Sequence, residues 1–164
     1  MTRLTWGNDK FVSTCQPVDK LVKETWFQTV LREATSDVDL IVVTGHTPIR
    51  NTTGFEYDLV LAAIRQHLPT IPVQFFGGHS HIRDFRKYDQ FAYGIESGRY
   101  LETIGWVNMD LKSFKVGRRY IDNNVGSYRF HIGVDTKQEF DTQQGKTISE
   151  LIKKKVIWYL TILI

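Results

Sequence analysis

The sequence predicts an α/β protein in which a parallel βαβ unit is followed by mostly antiparallel strands. Two short apolar runs, 39–44 and 73–76, flank a helical pattern that ends near two prolines. This order is typical of parallel strands joined by a crossover helix. Beyond residue 81, short apolar runs alternate with glycine and polar turns, which is typical of antiparallel strands. The chain has 164 residues, 41% hydrophobic and 24% charged, so it is long enough for a core and unlike a disordered protein.

The first part of the chain is predicted to alternate helix and strand. Residues 1–15 show no regular pattern and are expected to be irregular or weakly extended. From Pro17 onward, apolar residues recur at three- and four-residue spacing as far as Leu31, which predicts one amphipathic helix that ends at Ser36-Asp37. The β-branched run 39–44 predicts a strand buried on both faces. The next elements predicted are a helix over 57–68 and a second buried strand over 73–76.

The second part is predicted to contain three strands, a polar link and a final amphipathic stretch. The strands are expected at 91–95, 103–111 and 128–134, the link at 138–145, and the amphipathic stretch from Ile148 onward. The whole of residues 1–164 is expected to form one domain.

Net charge and hydropathy argue against a nucleic-acid partner and against a membrane-spanning segment. The net charge of +3 is too small, and its basic clusters too scattered, for a nucleic-acid surface, so no nucleic-acid partner is expected. The apolar run 156–164 is shorter than the roughly 20 residues of a membrane-spanning helix. We expect this tail to be buried, to associate with another surface, or to mark the end of an incomplete chain. The N-terminus lacks the apolar segment of a signal peptide.

Three histidines follow the ends of the two predicted parallel strands. His46 comes after Gly45, and His79 and His81 come after a pair of glycines. Ligands of open α/β sheets collect outside the carboxyl ends of the strands, and imidazole is the commonest metal ligand among side chains. In an extended segment, His79 and His81 would project from the same face. The pattern therefore predicts a metal site formed by these histidines, the alternative being a histidine-rich loop that serves only the turn.

The other titratable residues are expected to have ordinary structural roles. His67 lies near a helix end and His131 in a predicted strand, so both are expected to be surface or packed residues. Asp84 follows His81 by three residues, and we expect it to pair at the surface with Arg86 or Lys87.

Three segments resemble the C-terminal half of a calcineurin-like metallophosphoesterase domain, in the branch shared with 5′-nucleotidases and closest to its large fungal members. These segments are Val42-Val43-Thr44-Gly45-His46, Gly78-His79-Ser80-His81, and the run 96–105. The resemblance covers roughly residues 10–145 and leaves the tail 146–164 unmatched. It implies a partial metallophosphoesterase sandwich and a phosphoester substrate such as a nucleotide.

The resemblance also implies a cofactor and a set of ligands. Two divalent metal ions (Zn, Mn or Fe) would be bound, with His46 and His79 on one ion and His81 on the other. A vacuolar or secretory location is implied as well.

The family's Asp-x-His, Gly-Asp and Gly-Asn-His motifs have no counterpart in this sequence. The resemblance therefore implies an incomplete metal site with little or no activity by itself. Two explanations stay open at this point. The chain is either a piece of a phosphoester hydrolase, or a short protein that keeps a binding or scaffold role without catalysis.

Overall fold

The computed structural model describes residues 16–34, 38–50, 55–134 and 140–162, with side chains described as far as residue 156. The segment 1–15, expected to be irregular, lies outside the described residues. The described residues fall into two compact units that divide between Ile121 and Asp122. The assignment of one domain to residues 1–164 stays a prediction.

Among its described residues, the first unit contains three helices and six strands. Its helices are α1 (Val18–Leu21), α2 (Thr25–Glu33) and α3 (Glu56–His67). Its strands are β1 (Ile41–Thr44), β2 (Val73–Phe76), β3 (Arg83–Lys87), β4 (Ala92–Ser97), β5 (Thr103–Met109) and β6 (Val116–Asp122), the last of which ends at the division. The second unit contains α4 (Val125–Ile132) and α5 (Gln143–Ile162).

Strands β1 to β4 form one sheet in the order β1-β2-β4-β3. β1 pairs with β2 and β2 with β4 in parallel, whereas β3 pairs with β4 in antiparallel. Helix α3 connects β1 to β2, as a parallel pair requires. β5 and β6 form a separate two-stranded sheet. The predicted α/β class, with a parallel βαβ unit followed by antiparallel pairing, is confirmed.

The core lies between the helices and the sheet. Its most completely buried side chains include Tyr57, Ile64, Val73 and Phe75. β2 sits between β1 and β4 and is buried over its first three residues, as predicted. The prediction that β1 is buried on both faces is wrong, because its burial alternates and Val42 is 53% exposed. β1 has only one neighbour in the described sheet, and the core packs against its Ile41 and Val43.

The helix predicted from Pro17 to an end at Ser36-Asp37 is interrupted within the described residues. Two short-range hydrogen bonds, from the N–H of Lys23 to the carbonyl of Lys20 and from Glu24 to Leu21, close a turn after α1. The backbone of Glu24 is extended, and α2 begins after it. The apolar spacing continues through the break because Val22, inside the turn, is itself buried.

Residues 128–132 are helical and no strand forms over 128–134, so the prediction of a strand there is wrong. Helix α4 covers Val125–Ile132, and the side chain of Asn124 accepts a hydrogen bond from the N–H of Ser127 at its N-terminus, at 2.9 Å. Gly133 ends the helix in the left-handed conformation, with φ 71°. An N-cap asparagine and a terminal glycine are helix signals that outweigh the aromatic and β-branched content of the segment.

Helix α5 contains the residues expected to form the last amphipathic stretch. Its described apolar side chains Ile148, Leu151, Ile152 and Val156 are each more than half exposed. The side chains of 157–164 lie outside the described residues, so the expected burial or association of the tail stays a prediction. None of the described helices is both long enough and apolar enough to cross a membrane.

Candidate metal centre

The carboxyl ends of β1 and β2 are adjacent and firmly connected. Thr44 is the register partner of Phe76, and the N–H of Gly45 donates to the carbonyl of Phe76 at 3.1 Å. The hydroxyl of Tyr57, from α3, lies 3.1 Å from the carbonyl oxygen of Gly45 and 2.9 Å from that of Phe76. Burial, and then the negative charges of Glu96 and Glu56, raise the pKa of Tyr57, so its hydroxyl stays protonated and donates. The segments that follow β1 and β2 and carry the histidines therefore begin at a fixed distance from each other.

His46 and His79 meet just beyond these strand ends. Nε2 of His46 lies 3.2 Å from Nδ1 of His79, and the two rings are nearly perpendicular, with centroids 5.1 Å apart. Both residues are exposed. Neutral imidazoles satisfy this geometry with one N–H···N hydrogen bond. Two imidazole nitrogens on one tetrahedral zinc, each about 2.0–2.1 Å from the ion, would be separated by about 3.3 Å. The separation of the two nitrogens therefore matches the separation expected of two ligands on one ion.

His81 is arranged differently from the prediction. His79 and His81 both have left-handed backbone conformations, with φ 76° and φ 63°. The segment is therefore not extended, and the expectation that it presents both rings on one face by strand geometry is wrong. Within the described ranges, no three His, Cys, Asp or Glu side chains are grouped so that they could hold an ion. The metal roles of all three histidines stay predictions.

Gly77 and Gly78 let the two loops approach closely. A Cβ atom on Gly77 would lie 2.6 Å from Cγ2 of Ile49 and 2.8 Å from the carbonyl oxygen of Thr47. The N–H of Gly78 donates to that same Thr47 carbonyl at 3.0 Å. The glycines before His79 therefore provide space for the loop that carries His46, and their presence in the sequence was an informative signal.

Glu96 joins the two histidine loops, and sequence reasoning did not single it out. It lies on β4 with 2% of its surface exposed, and its Oε1 accepts the N–H of Ile49 at 2.6 Å. Its Oε2 accepts the hydroxyl of Ser80, between the two histidines. A glutamate directly after the run Ala92–Ile95, at the end of a predicted strand, was the available signal, since carboxylates are rarely buried without a partner.

Asp84 and Asp58, two acidic residues near the candidate site in sequence, form ion pairs with arginines. Asp84 pairs with Arg50, 2.8 Å between charged atoms, so its predicted pairing with Arg86 or Lys87 is wrong. Arg86 instead makes two hydrogen bonds to Asp58, at 2.6 and 2.8 Å. Burial disfavours the charged guanidinium, but the hydrogen bonds and charge of Asp58 raise the pKa of Arg86. Arg86 also donates to the carbonyl of Ile49 at 3.1 Å, which stabilises the loop after His46.

The two histidines outside the site have local roles. Nε2 of His67 lies 2.7 Å from Oε1 of Gln28, so it joins α3 to α2. His131 lies exposed on α4, not on the predicted strand.

Comparison with known proteins gives relatives that are much longer than this chain, and no protein-family model matches it. An uncharacterized protein of Saccharomyces cerevisiae is 37% identical over 156 residues, which cover 89% of this chain and 26% of that protein. An uncharacterized protein of Schizosaccharomyces pombe is 35% identical over 168 residues, covering 84% of this chain and 27% of that protein. A protein of Arthroderma benhamiae named as secreted is 29% identical over 187 residues, covering 87% and 27%.

The chain is also similar to a solved structure. The crystal structure of a 5′-nucleotidase from Candida albicans matches with a TM-score of 0.70 and 38% sequence identity, over 85% of this chain and 27% of that one. The chain thus spans about a quarter of the length of the proteins it matches. Its fold is phosphoesterase-like and of the nucleotidase type.

Proposed function

We propose that this chain is part of a dinuclear-metal phosphoester hydrolase of the calcineurin-like family, of the 5′-nucleotidase type. The observation that carries the proposal is the approach of His46 and His79 to 3.2 Å at the carboxyl ends of two neighbouring parallel strands. The similarity to a 5′-nucleotidase supports it and favours a nucleotide as the phosphoester substrate.

The histidines would divide between two ions. His46 and His79 would bind one divalent metal ion (Zn, Mn or Fe), and His81 would bind the other. When bound, two such ions supply an activated hydroxide and neutralise charge on the phosphoryl oxygens. The exposure of all three histidine residues leaves room for a phosphate group to approach them. Tyr57 and Gly77 would keep the two loops at the spacing that metal binding needs.

The chain by itself is proposed to bind metal weakly and to hydrolyse phosphoesters little or not at all. A dinuclear site acting on phosphate requires carboxylates as well as imidazoles. The carboxylates of Asp58, Asp84 and Glu96 are engaged in hydrogen bonds or ion pairs with other residues. In the proposal, the remaining ligands come from the longer protein of which this chain forms a part.

A zinc titration with a phosphatase assay tests this proposal. We expect histidine ring signals in NMR spectra to shift with zinc, and we expect the shifts to be lost in His79→Ala but kept in the control His131→Ala. Hydrolysis of nucleoside monophosphates by the chain alone should stay near the background rate. Equal zinc binding by wild type and His79→Ala would overturn the metal site. Efficient turnover by the chain alone would overturn its dependence on further ligands. If the chain does not bind zinc but associates with itself or a partner in light scattering, the result would favour the alternative of a binding or scaffold role without catalysis.

A further inference from the structure

We infer that Glu96 is a positioning residue that holds the His46 loop and the His79–His81 loop in register through its two carboxylate oxygens. This inference deepens the proposed function and rests on it for the use of zinc as a probe. The residue comes from β4, a strand that contributes no histidine to the site.

Each carboxylate oxygen of Glu96 holds a different loop. Oε1 accepts from the backbone N–H of Ile49, three residues after His46. Oε2 accepts from the hydroxyl of Ser80, which is flanked by His79 and His81. Because Glu96 is almost completely buried, loss of its side chain would leave the N–H of Ile49 without this acceptor in a low-dielectric environment.

Both backbone polar groups of Ile49, its N–H and its carbonyl, make hydrogen bonds. Ile49 is fully buried, and its carbonyl accepts hydrogen bonds from Tyr88 at 2.8 Å and from Arg86 at 3.1 Å. Glu96 therefore connects the Ser80 loop to a residue whose carbonyl is itself anchored to β3 and to the residue after β3. Movement of Ser80 relative to Ile49 would require the Glu96 hydrogen bonds to break.

The Ser80 end explains how an unfavourable backbone is maintained. His79 and His81 have left-handed conformations, which cost free energy for residues other than glycine. Such a conformation persists only where the surrounding structure determines it, and the Ser80 hydroxyl on Glu96 is an anchor placed between the two strained residues. Without this anchor, we expect the segment to relax and His79 to leave its position beside His46.

Two substitutions at Glu96 separate hydrogen bonding from charge. In Glu96→Gln, the amide oxygen can accept from Ile49 while the NH₂ group donates to Ser80, whose hydroxyl is also an acceptor. We therefore expect Glu96→Gln to keep the zinc affinity within about threefold of wild type, whereas Glu96→Met should lose about tenfold or more. Affinities are measured by NMR titration of samples shown to be folded. Asp89→Asn, which weakens the Arg65–Asp89 ion pair elsewhere in the first unit, serves as a matched stability control and should not change zinc affinity.

The outcomes distinguish this inference from the proposed function. Unchanged affinity in folded Glu96→Met, or an equal loss in Glu96→Gln and Glu96→Met, would overturn the positioning role while zinc binding by wild type still supports the metal site. If wild type binds no zinc, the proposed function fails. The positioning role of Glu96 is then tested by whether the rings of His46 and His79 stay close together. Ring-to-ring nuclear Overhauser contacts between His46 and His79 should then be present in wild type and lost in Glu96→Met. Should Glu96→Met not fold, Ser80→Ala removes one link alone, and retention of the contacts in Ser80→Ala would overturn the inference.

Discussion

The hydroxyl of Tyr57 lies 2.9 Å from the carbonyl oxygen of Phe76 and 3.1 Å from that of Gly45, so a helix residue holds the ends of two adjacent strands. The contact lies directly before both histidine loops. Tyr57 is 2% exposed, and its ring also packs on Phe75, with centroids 4.7 Å apart. One side chain thus contributes both to the core and to the base of the candidate site.

Tyr57→Phe should lower the free energy of unfolding by about 1 kcal/mol, because the partly buried carbonyls of Gly45 and Phe76 lose the one hydroxyl that donates between them while the ring packing is kept. Urea denaturation followed by tryptophan fluorescence measures this loss. Tyr93→Phe is the matched control, since the hydrogen bond that the Tyr93 hydroxyl makes among the described residues, to the carbonyl of Gln90, is long at 3.4 Å. A loss in Tyr93→Phe as large as that in Tyr57→Phe would contradict the role given to the Tyr57 hydroxyl.

Gly77→Ala should destabilise the protein by about 1–3 kcal/mol, because the new methyl group has no space and part of the obstacle is backbone. Its Cβ would lie 2.6 Å from Ile49 and 2.8 Å from the Thr47 carbonyl. Gly145→Ala in α5 is a control in which the nearest atom to the new Cβ is the Thr142 hydroxyl at 3.3 Å, and helix propensity favours alanine. Thermal unfolding of both variants provides the comparison, and a Gly77→Ala protein as stable as wild type would contradict the close approach of the two loops.

The sequence predicted the elements whose hydrophobic pattern reflects their burial in the structure. The apolar run Val73–Phe76 predicts β2 because this strand is central and buried. The charged sequence of β3, Arg83–Lys87, gives no such signal, because β3 is an edge strand whose pairing with β4 depends on backbone hydrogen bonds. The break between α1 and α2 was missed because apolar spacing continued through the turn.

The sequence predicted the candidate site only in part. A glycine followed by histidine at two strand ends predicts that His46 and His79 approach each other, because parallel strands end at one edge of the sheet. The contribution of Glu96 depends on β4 lying next to β2, a long-range relationship that no local pattern encodes. The left-handed backbone of His79 and His81 likewise depends on tertiary contacts.

Asp89→Asn should destabilise the protein in a pH-dependent way. Burial would raise the pKa of Asp89, but hydrogen bonds from Arg65 and from the Phe91 N–H outweigh it and lower the pKa. A lowered folded-state pKa gives stability that is present above the unfolded-state value, about 3.9, and is lost as the pH falls through the folded-state value. The stability difference between wild type and Asp89→Asn should therefore be largest near neutral pH and shrink in acid.

Urea unfolding at several pH values measures this difference, and a double-mutant cycle with Arg65→Met assigns it to the pair. The charged atoms of Arg65 and Asp89 lie 2.8 Å apart and are partly exposed, so added salt should reduce the effect. A difference that grows as the pH falls would contradict the sign derived from the lowered pKa.

Zinc should stabilise the folded chain if the imidazole pair is a metal site. A ligand that binds only the native state adds about 1.4 kcal/mol to the free energy of unfolding when present at tenfold its dissociation constant. We expect this stabilisation in wild type, its reversal by a chelator, and its loss in His46→Ala, because removal of one imidazole leaves His79 without its neighbour at 3.2 Å. His131→Ala, which alters an exposed histidine on α4, should respond to zinc as wild type does. Zinc-dependent stabilisation that persists in His46→Ala would assign the binding to other residues of the chain and remove the basis of the metal site.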